Sequence, residues 1–269
     1  MSTTALAPLS SRAVIALSGP DWRSFLQGLI TQDVETLAEG ELRLGAILTP
    51  QGRLLYDLFV AGTQSGALLD VAAQHREAIL QRLTMYRLRA KVEIAASDLT
   101  VIAAFPTDGT VENRPGLYRD PRLPGLGARA YGLDIAPTTD EGAYDAHCLA
   151  LGVPGPADWL SDKTYPIEAN FDLLNGIDFK KGCFVGQETT SRMKRRGLIK
   201  TRMGPISFDG PPPAFGTEIL AGERRAGEVL SGREGRAMAA LRLDRIEAED
   251  LTVDGRPVRL DLPDWLAVS

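Results

Sequence analysis

Residues 180–192 read KKGCFVGQETTSR, and this stretch carries one of the chain's two cysteines. A structural thiol sits in an apolar run and packs inward like a small hydrophobe. Cys183 instead lies in a polar segment punctuated by Gly182 and Gly186, which looks built to present side chains. Lys180 and Lys181 place positive charge beside the thiol, which favours the thiolate. The two glycines allow tight backbone geometry and close approach of a ligand. Gln187 offers donors and acceptors, and Glu188 offers a bidentate acceptor suited to a planar heterocycle with adjacent N–H and amino donors. The plain alternative is a glycine-rich loop holding a partly buried cysteine, followed by a solvated polar tail.

Just downstream, RMKRRGLIKTR (192–202) holds six basic residues in eleven and no acid. It reads either as a solvated surface segment or as a site for an anionic tail, polyanion or acidic partner. It has no interleaved aromatics, so direct nucleic-acid binding is not expected. Beyond residue 200 the texture changes to short apolar strands separated by DGPPP, GERR, GREG and DG turns, with Asp254-Gly255 a strong hairpin signal. The expected division is an α+β region over 1–199 and a small β-barrel over 200–269.

Upstream, SGPDWRSFLQGLITQDV (18–34) has a helical apolar face through Trp22, Phe25, Leu26, Leu29 and Ile30, with Ser18 as the expected cap. Residues 1–11 read as a loose lead-in. Strands are expected at 13–17, 42–48, 53–62, 67–73, 91–96, 99–105 and 128–135, and helices at 75–89 and 140–152. This mixture lacks the regular alternation of a doubly wound sheet and predicts an α+β fold with antiparallel pairing. Asp57 stands inside an apolar strand, so it must face water, meet an arginine or serve a function. Tyr144 lies on a helix seam, where it serves either as core or as a stacking platform for a planar ligand. Cys148 reads as a small core residue and His147 as a partly exposed one.

The 269 residues carry 44% hydrophobic and 24% charged side chains and a net charge of −5, an ordinary globular composition without the basic excess of a nucleic-acid binder. No apolar run reaches the roughly 20 residues that span a bilayer, and the N-terminus lacks the pattern of a signal peptide. A cytoplasmic location is expected, or a mitochondrial matrix in a eukaryote. Two cysteines and two histidines are too few for a disulfide framework or a metal centre of the usual four ligands, so no permanently bound metal is expected.

GPDWRSFLQGLITQDV, LTPQGRLLYDLFV, YRLRAKVEI, LALGVP and above all KGCFVGQE followed by Arg192 resemble the YgfZ family, matching in order over roughly 15–245. These are folate-binding accessory factors for iron–sulfur proteins, related to the T-protein of the glycine cleavage system, a tetrahydrofolate-dependent aminomethyltransferase. The resemblance implies α+β modules around a central folate channel plus a C-terminal β-barrel. It implies tetrahydrofolate or a derivative as cofactor, and iron–sulfur client proteins or assembly machinery as partners, with no membrane. The clients would include radical enzymes that modify tRNA. It points to Cys183, Lys181 and Asp57 as candidate catalytic residues, and to Asp33, Tyr144, Gly186, Gln187, Glu188 and Arg192 as candidate folate-binding residues. T-proteins carry paired aspartates where this chain has Tyr56-Asp57, and their counterpart of the KGCFVGQE loop lacks the cysteine.

Three readings follow. The first is a folate-binding factor for assembly or repair of [4Fe–4S] enzymes, with Cys183 lending one ligand or a redox handle. The second is a folate-dependent aminomethyl-type transferase or demethylase, with Asp57 near the reacting carbon. The third is a protein- or RNA-interaction module built on the basic segment.

Overall fold

The computed structural model describes residues 4–112, 114–197, 199–246 and 250–266. The chain opens with β1 (Thr4–Pro8), not the loose lead-in expected. Its five residues pair antiparallel with β7 (Val101–Pro106), almost a hundred residues on. Between these two lies an antiparallel sheet of β2 (Arg12–Ser18), β3 (Leu42–Leu48), β4 (Leu54–Gly62), β5 (Gly66–Ala72) and β6 (Glu93–Ser97), in the order β3-β4-β5-β2-β6. Strand β7 then joins β8 (Tyr118–Arg119) and β9 (Ala128–Tyr131) in a second sheet of order β1-β7-β9-β8.

Alternation along the strands of the first sheet divides the apolar residues between two cores. One face sends Leu42, Leu44, Ala46, Phe59 and Ala61 towards the middle of the molecule. The other sends Ile15, Leu17, Leu58, Val60, Leu69 and Val71 against two helices. These are α1 (Trp22–Gln27) and α2 (Arg76–Arg87), and α2 buries Ile79 and Leu83 one turn apart. Each such side chain contributes on the order of 1.5–3 kcal/mol by burial.

Helix α1 is much shorter than its apolar periodicity suggests. Ser18, the expected cap, ends β2 opposite Gly66, and Asp21 stands at the helix start. The helix stops at Gly28, and Ile30 instead bridges to Ile47 of β3. The Gln27 side chain accepts the Val34 N–H at 2.8 Å, fixing the chain beyond the last turn. Tertiary pairing overrides helical propensity here.

Helix α3 (Glu141–Ala150) is capped by Asp140, whose carboxylate accepts the Ala143 N–H at 2.9 Å. Helix α4 (Gln187–Arg196) starts at Gly186, where a loop with a polar tail was expected. Glu188 in its first turn and Lys194, Arg195 and Arg196 in its last complement the helix dipole. The basic segment 192–202 is therefore not uniform. Its first part lies on an exposed helix, while Arg202 turns inward to Asp172 at 2.9 Å and to the Ile167 carbonyl at 3.0 Å.

The remaining strands are β10 (Thr201–Ser207), β11 (Glu218–Ala221), β12 (Arg224–Arg233), β13 (Arg236–Arg242), β14 (Leu251–Val253), β15 (Arg256–Pro257) and β16 (Arg259–Leu260). They form a nearly closed barrel in the order β15-β14-β11-β12-β13-β10-β16. Asp254 and Gly255 both have positive φ, as the tight β14–β15 hairpin requires. Met203, Leu230 and Met238 of the barrel pack into the central core, so its wall completes the interior of the α+β region.

Candidate functional site

Where β2, β4, α3, the 153–159 loop and the β12–β13 turn meet, they enclose a cavity of about 810 Å³. That size lies within the range of small-molecule and cofactor sites. Its walls include Leu44, Phe59, Val153, Trp159, Phe171 and Met238. On one side stands a buried ionic network. Arg12 donates from Nη1 to Asp57 Oδ2 at 2.8 Å and from Nε to Asp70 Oδ1 at 2.6 Å. Arg129 Nη1 reaches Asp70 Oδ2 at 2.6 Å, and Arg122 Nη2 reaches Asp120 Oδ2 at 2.7 Å. The Phe59 ring lies among all three guanidinium groups, with their Cζ atoms 5.7, 5.0 and 3.8 Å from its centroid for Arg12, Arg122 and Arg129.

These three arginines and three aspartates balance in charge, which is what permits them inside the protein. Burial works to raise the Asp70 carboxyl, but Arg12 and Arg129 outweigh it and hold it below the usual range. Asp120 is depressed in the same way, with burial opposed by Arg122 and then Arg129. One donor is left over. Arg129 Nε–H is buried and finds no acceptor among the described residues, with Asp120 Oδ2 standing 3.8 Å away.

Tyr144 lies in this wall, buried, with its oxygen accepting from Arg122 Nη2 at 3.0 Å. It is both a core residue and a lining residue, so the two readings of the helix seam do not exclude each other. Cys148 is half-buried beside it, with its thiol pushed up by burial. His147 is also half-buried, its Nε2–H donating to the Gly125 carbonyl at 2.8 Å. Asp57 is buried and paired with Arg12, its one hydrogen-bonding partner among the described residues, so Oδ1 is left for a ligand donor.

The other sequence-derived candidates gather elsewhere. Lys181 extends its ammonium to the carbonyls of Gln27, Ile30 and Gln32 at 2.7, 2.8 and 2.8 Å. It thereby satisfies groups left open where α1 stops short. Burial pulls its pKa down to about 8, against the pull of Asp33 and Asp178. The charge expected to act on Cys183 is thus engaged by backbone oxygens. Asp33 is a neighbour in this cluster, accepting from Gln27 Nε2 at 2.8 Å and Arg43 Nη1 at 3.0 Å. Burial works to raise Asp33, yet hydrogen bonds from Thr36, Gln27 and Arg43 lower it to about 2.

Phe184 is the buried anchor of the loop, and Val185 N–H donates to the Gly28 carbonyl at 3.3 Å. Gly186 has φ +82°, and a Cβ there would lie 2.6 Å from the Thr49 carbonyl oxygen. Between these fixed points Cys183 is exposed, with a free thiol. Asp33, Gly186, Gln187, Glu188 and Arg192 do not line the cavity that holds Asp57 and Tyr144. The candidates therefore form two sites, an interior cavity and an exposed thiol loop. Among the described residues no three His, Cys, Asp or Glu side chains are grouped to hold a metal ion.

Sequence reasoning found Asp57 as an acid in an apolar strand. The same signal, applied to ALLDVAA and ARAYG, marks Asp70 and Arg129. Arg12, Asp120 and Arg122 carried no such mark.

Residues 200–268 match the family model for the CAF17 C-terminal beta-barrel domain. The human mitochondrial iron–sulfur cluster assembly factor IBA57 is 31% identical, over 96% of this chain and 84% of that protein. The chain belongs to the IBA57 family. Homologues in Mycosarcoma maydis and Neurospora crassa are 33% and 32% identical, and the chain spans 60% and 55% of their lengths. The glycine cleavage system aminomethyltransferase T of Bartonella henselae shares the fold, with a TM-score of 0.77 at 17% identity over 98% of this chain and 86% of that one. No described helix is long and apolar enough to cross a membrane.

Proposed function

We propose that this IBA57-family chain is a tetrahydrofolate-binding accessory protein for the assembly or repair of [4Fe–4S] enzymes, related in role to the bacterial YgfZ factors. The observation that carries the reading is Cys183, an exposed free thiol held on a loop fastened at Lys181, Phe184 and Gly186. One ligand cannot hold a cluster, so a cluster at this thiol is shared with a partner that supplies the rest. Its relatives are iron–sulfur cluster assembly factors, which supports the same reading. Clients include radical enzymes that modify tRNA, in a bacterial cytoplasm or a mitochondrial matrix.

The folate belongs to the cavity. Its apolar walls, Tyr144, the Oδ1 atom of Asp57 and the unpartnered Nε–H of Arg129 suit a planar heterocycle that offers both donors and acceptors. When bound, the folate supplies a one-carbon carrier or a reductant. The chain's own residues orient it and exclude water. The Asp57 carboxylate, held by Arg12, would accept ring N–H groups, and Arg129 in the same wall would offer a donor to a ring acceptor. An aminomethyl-type transfer is the second reading, and the buried Asp57 beside the ligand is the observation that favours it.

The test joins two measurements. Tetrahydrofolate is titrated calorimetrically into wild type, Tyr144→Leu and Cys183→Ala. Saturable binding that weakens about tenfold in Tyr144→Leu and is unchanged in Cys183→Ala is expected. Cys183→Ala fails to restore iron–sulfur enzyme activity in cells lacking the native factor. No binding at millimolar ligand sinks the folate assignment, and full restoration by Cys183→Ala sinks the thiol role.

A further inference from the structure

The end of α2 has features its own chain does not explain. Thr84 to Arg89 are all exposed, and among them Met85 and Leu88 are 67% and 88% open, with Tyr86 at 39%. Leu88 follows the helix with φ +45° and ψ −107°. Helix ends adopt positive φ with glycine or asparagine. A leucine there holds a sparsely populated backbone conformation, and this chain gives it no burial in return.

The rim of this apolar group is basic. Arg82 stands against the Tyr86 ring, its Cζ 5.5 Å from the centroid. Arg87, Arg89 and Lys91 are exposed. None of these four forms a salt bridge among the described residues. The whole chain carries −5, so the patch is opposite in sign to the protein that bears it. The patch also adjoins the thiol loop. Arg82, Leu83 and Tyr86 line a crevice together with Val185, two residues beyond Cys183.

We propose that the exposed end of α2 is a docking surface for an acidic protein, whose apolar groove receives Leu88, Met85 and Tyr86 and whose carboxylates meet Arg82, Arg87, Arg89 and Lys91. Continuity with the loop gives the surface its purpose, and to that extent the inference rests on the role proposed for Cys183. The docked protein brings its own cluster ligands to the thiol. Leucine and methionine offer nothing to a phosphate backbone, so the apolar centre of the patch favours a protein over a nucleic acid. An apolar centre inside a charged rim is how protein interfaces are built.

The test starts by photo-crosslinking the full chain in its own cells, with Leu88→p-benzoylphenylalanine and, as a control on the barrel, Phe215→p-benzoylphenylalanine. The protein captured from position 88 is purified without metal and titrated against variants. The expected result is one acidic, cluster-binding protein captured from 88 and not from 215. Its Kd rises tenfold or more with Leu88→Asp and several-fold with Arg89→Glu, and it weakens with added salt. Leu88→Gly separates binding from folding, because it relieves the backbone, unfolds at a higher temperature than wild type and still binds weakly. Capture of nucleic acid, of a basic protein or of nothing overturns the proposal, as does wild-type affinity in Leu88→Asp. The two readings fail separately. If Leu88→Asp docks as wild type while Cys183→Ala loses function in cells, the thiol role stands and the surface falls. If Leu88→Asp loses docking while Cys183→Ala functions fully, the thiol role falls alone.

Discussion

Asp70→Asn is the change that best tests the ionic network. Asp70 is fully buried and takes hydrogen bonds from Arg12 Nε and Arg129 Nη1, both at 2.6 Å, and from Tyr131 Oη at 3.3 Å. Asparagine keeps the shape but removes the charge between two buried guanidinium groups, and part of the amide faces donors. Removing one partner of a buried ion pair costs about 3–5 kcal/mol. At about 2–4 °C per kcal/mol for a chain approaching this size, the unfolding midpoint falls by roughly 6–20 °C. Urea denaturation of wild type and variant measures the free energy directly. The acid limb gives a second readout. The native Asp70 carboxyl titrates below its free value of 3.8, so its contribution is present above that pH and is lost as pH falls. In Asp70→Asn that part of the acid dependence is missing. A loss below about 1 kcal/mol, with the acid limb unchanged, would refute the view that this network holds the cavity wall together.

Gly186→Ala forces a Cβ against the Thr49 carbonyl in a left-handed backbone, so it destabilises by about 1–3 kcal/mol, measured by thermal unfolding. It also moves the Cys183 loop, so thiol labelling at 183 changes rate while that at Cys148 does not. Asp33 has its pKa lowered to about 2, so carbon-detected NMR finds it ionised at pH 3, where a free aspartate is largely protonated. Its contribution to stability holds above the free value of 3.8 and fades as pH falls towards 2.

Much of the framework was legible in the sequence. The strand expected at 42–48 is β3 residue for residue, because its surroundings leave no competing period. The helix expected at 140–152 is α3 with Asp140 as cap and Gly152, at φ +71°, as its stop. Strand β1 is not legible because Thr-Ala-Leu-Ala-Pro has no strand signal of its own and pairs with β7, far along the chain. Helix α4 was missed because its ten residues carry no apolar period, although acid at its start and bases at its end are a helix signal. The candidate site divided for a similar reason. Asp57 announced itself, but its partner Arg12 lies 45 residues away and no local pattern joins them. Lys181 and Cys183 are near neighbours in sequence, and yet the lysine reaches back to the end of α1.

The cavity has one wall that arrives late. Met238 and the Ser231–Arg233 stretch come from the barrel, and Asp158 on the opposite loop fastens to Ser231. A ribosome making this chain therefore releases Arg12, Asp57 and Arg129 long before the barrel residues that share their cavity exist. The nascent N-terminal part exposes an open, charged basin to water until β12 and β13 emerge.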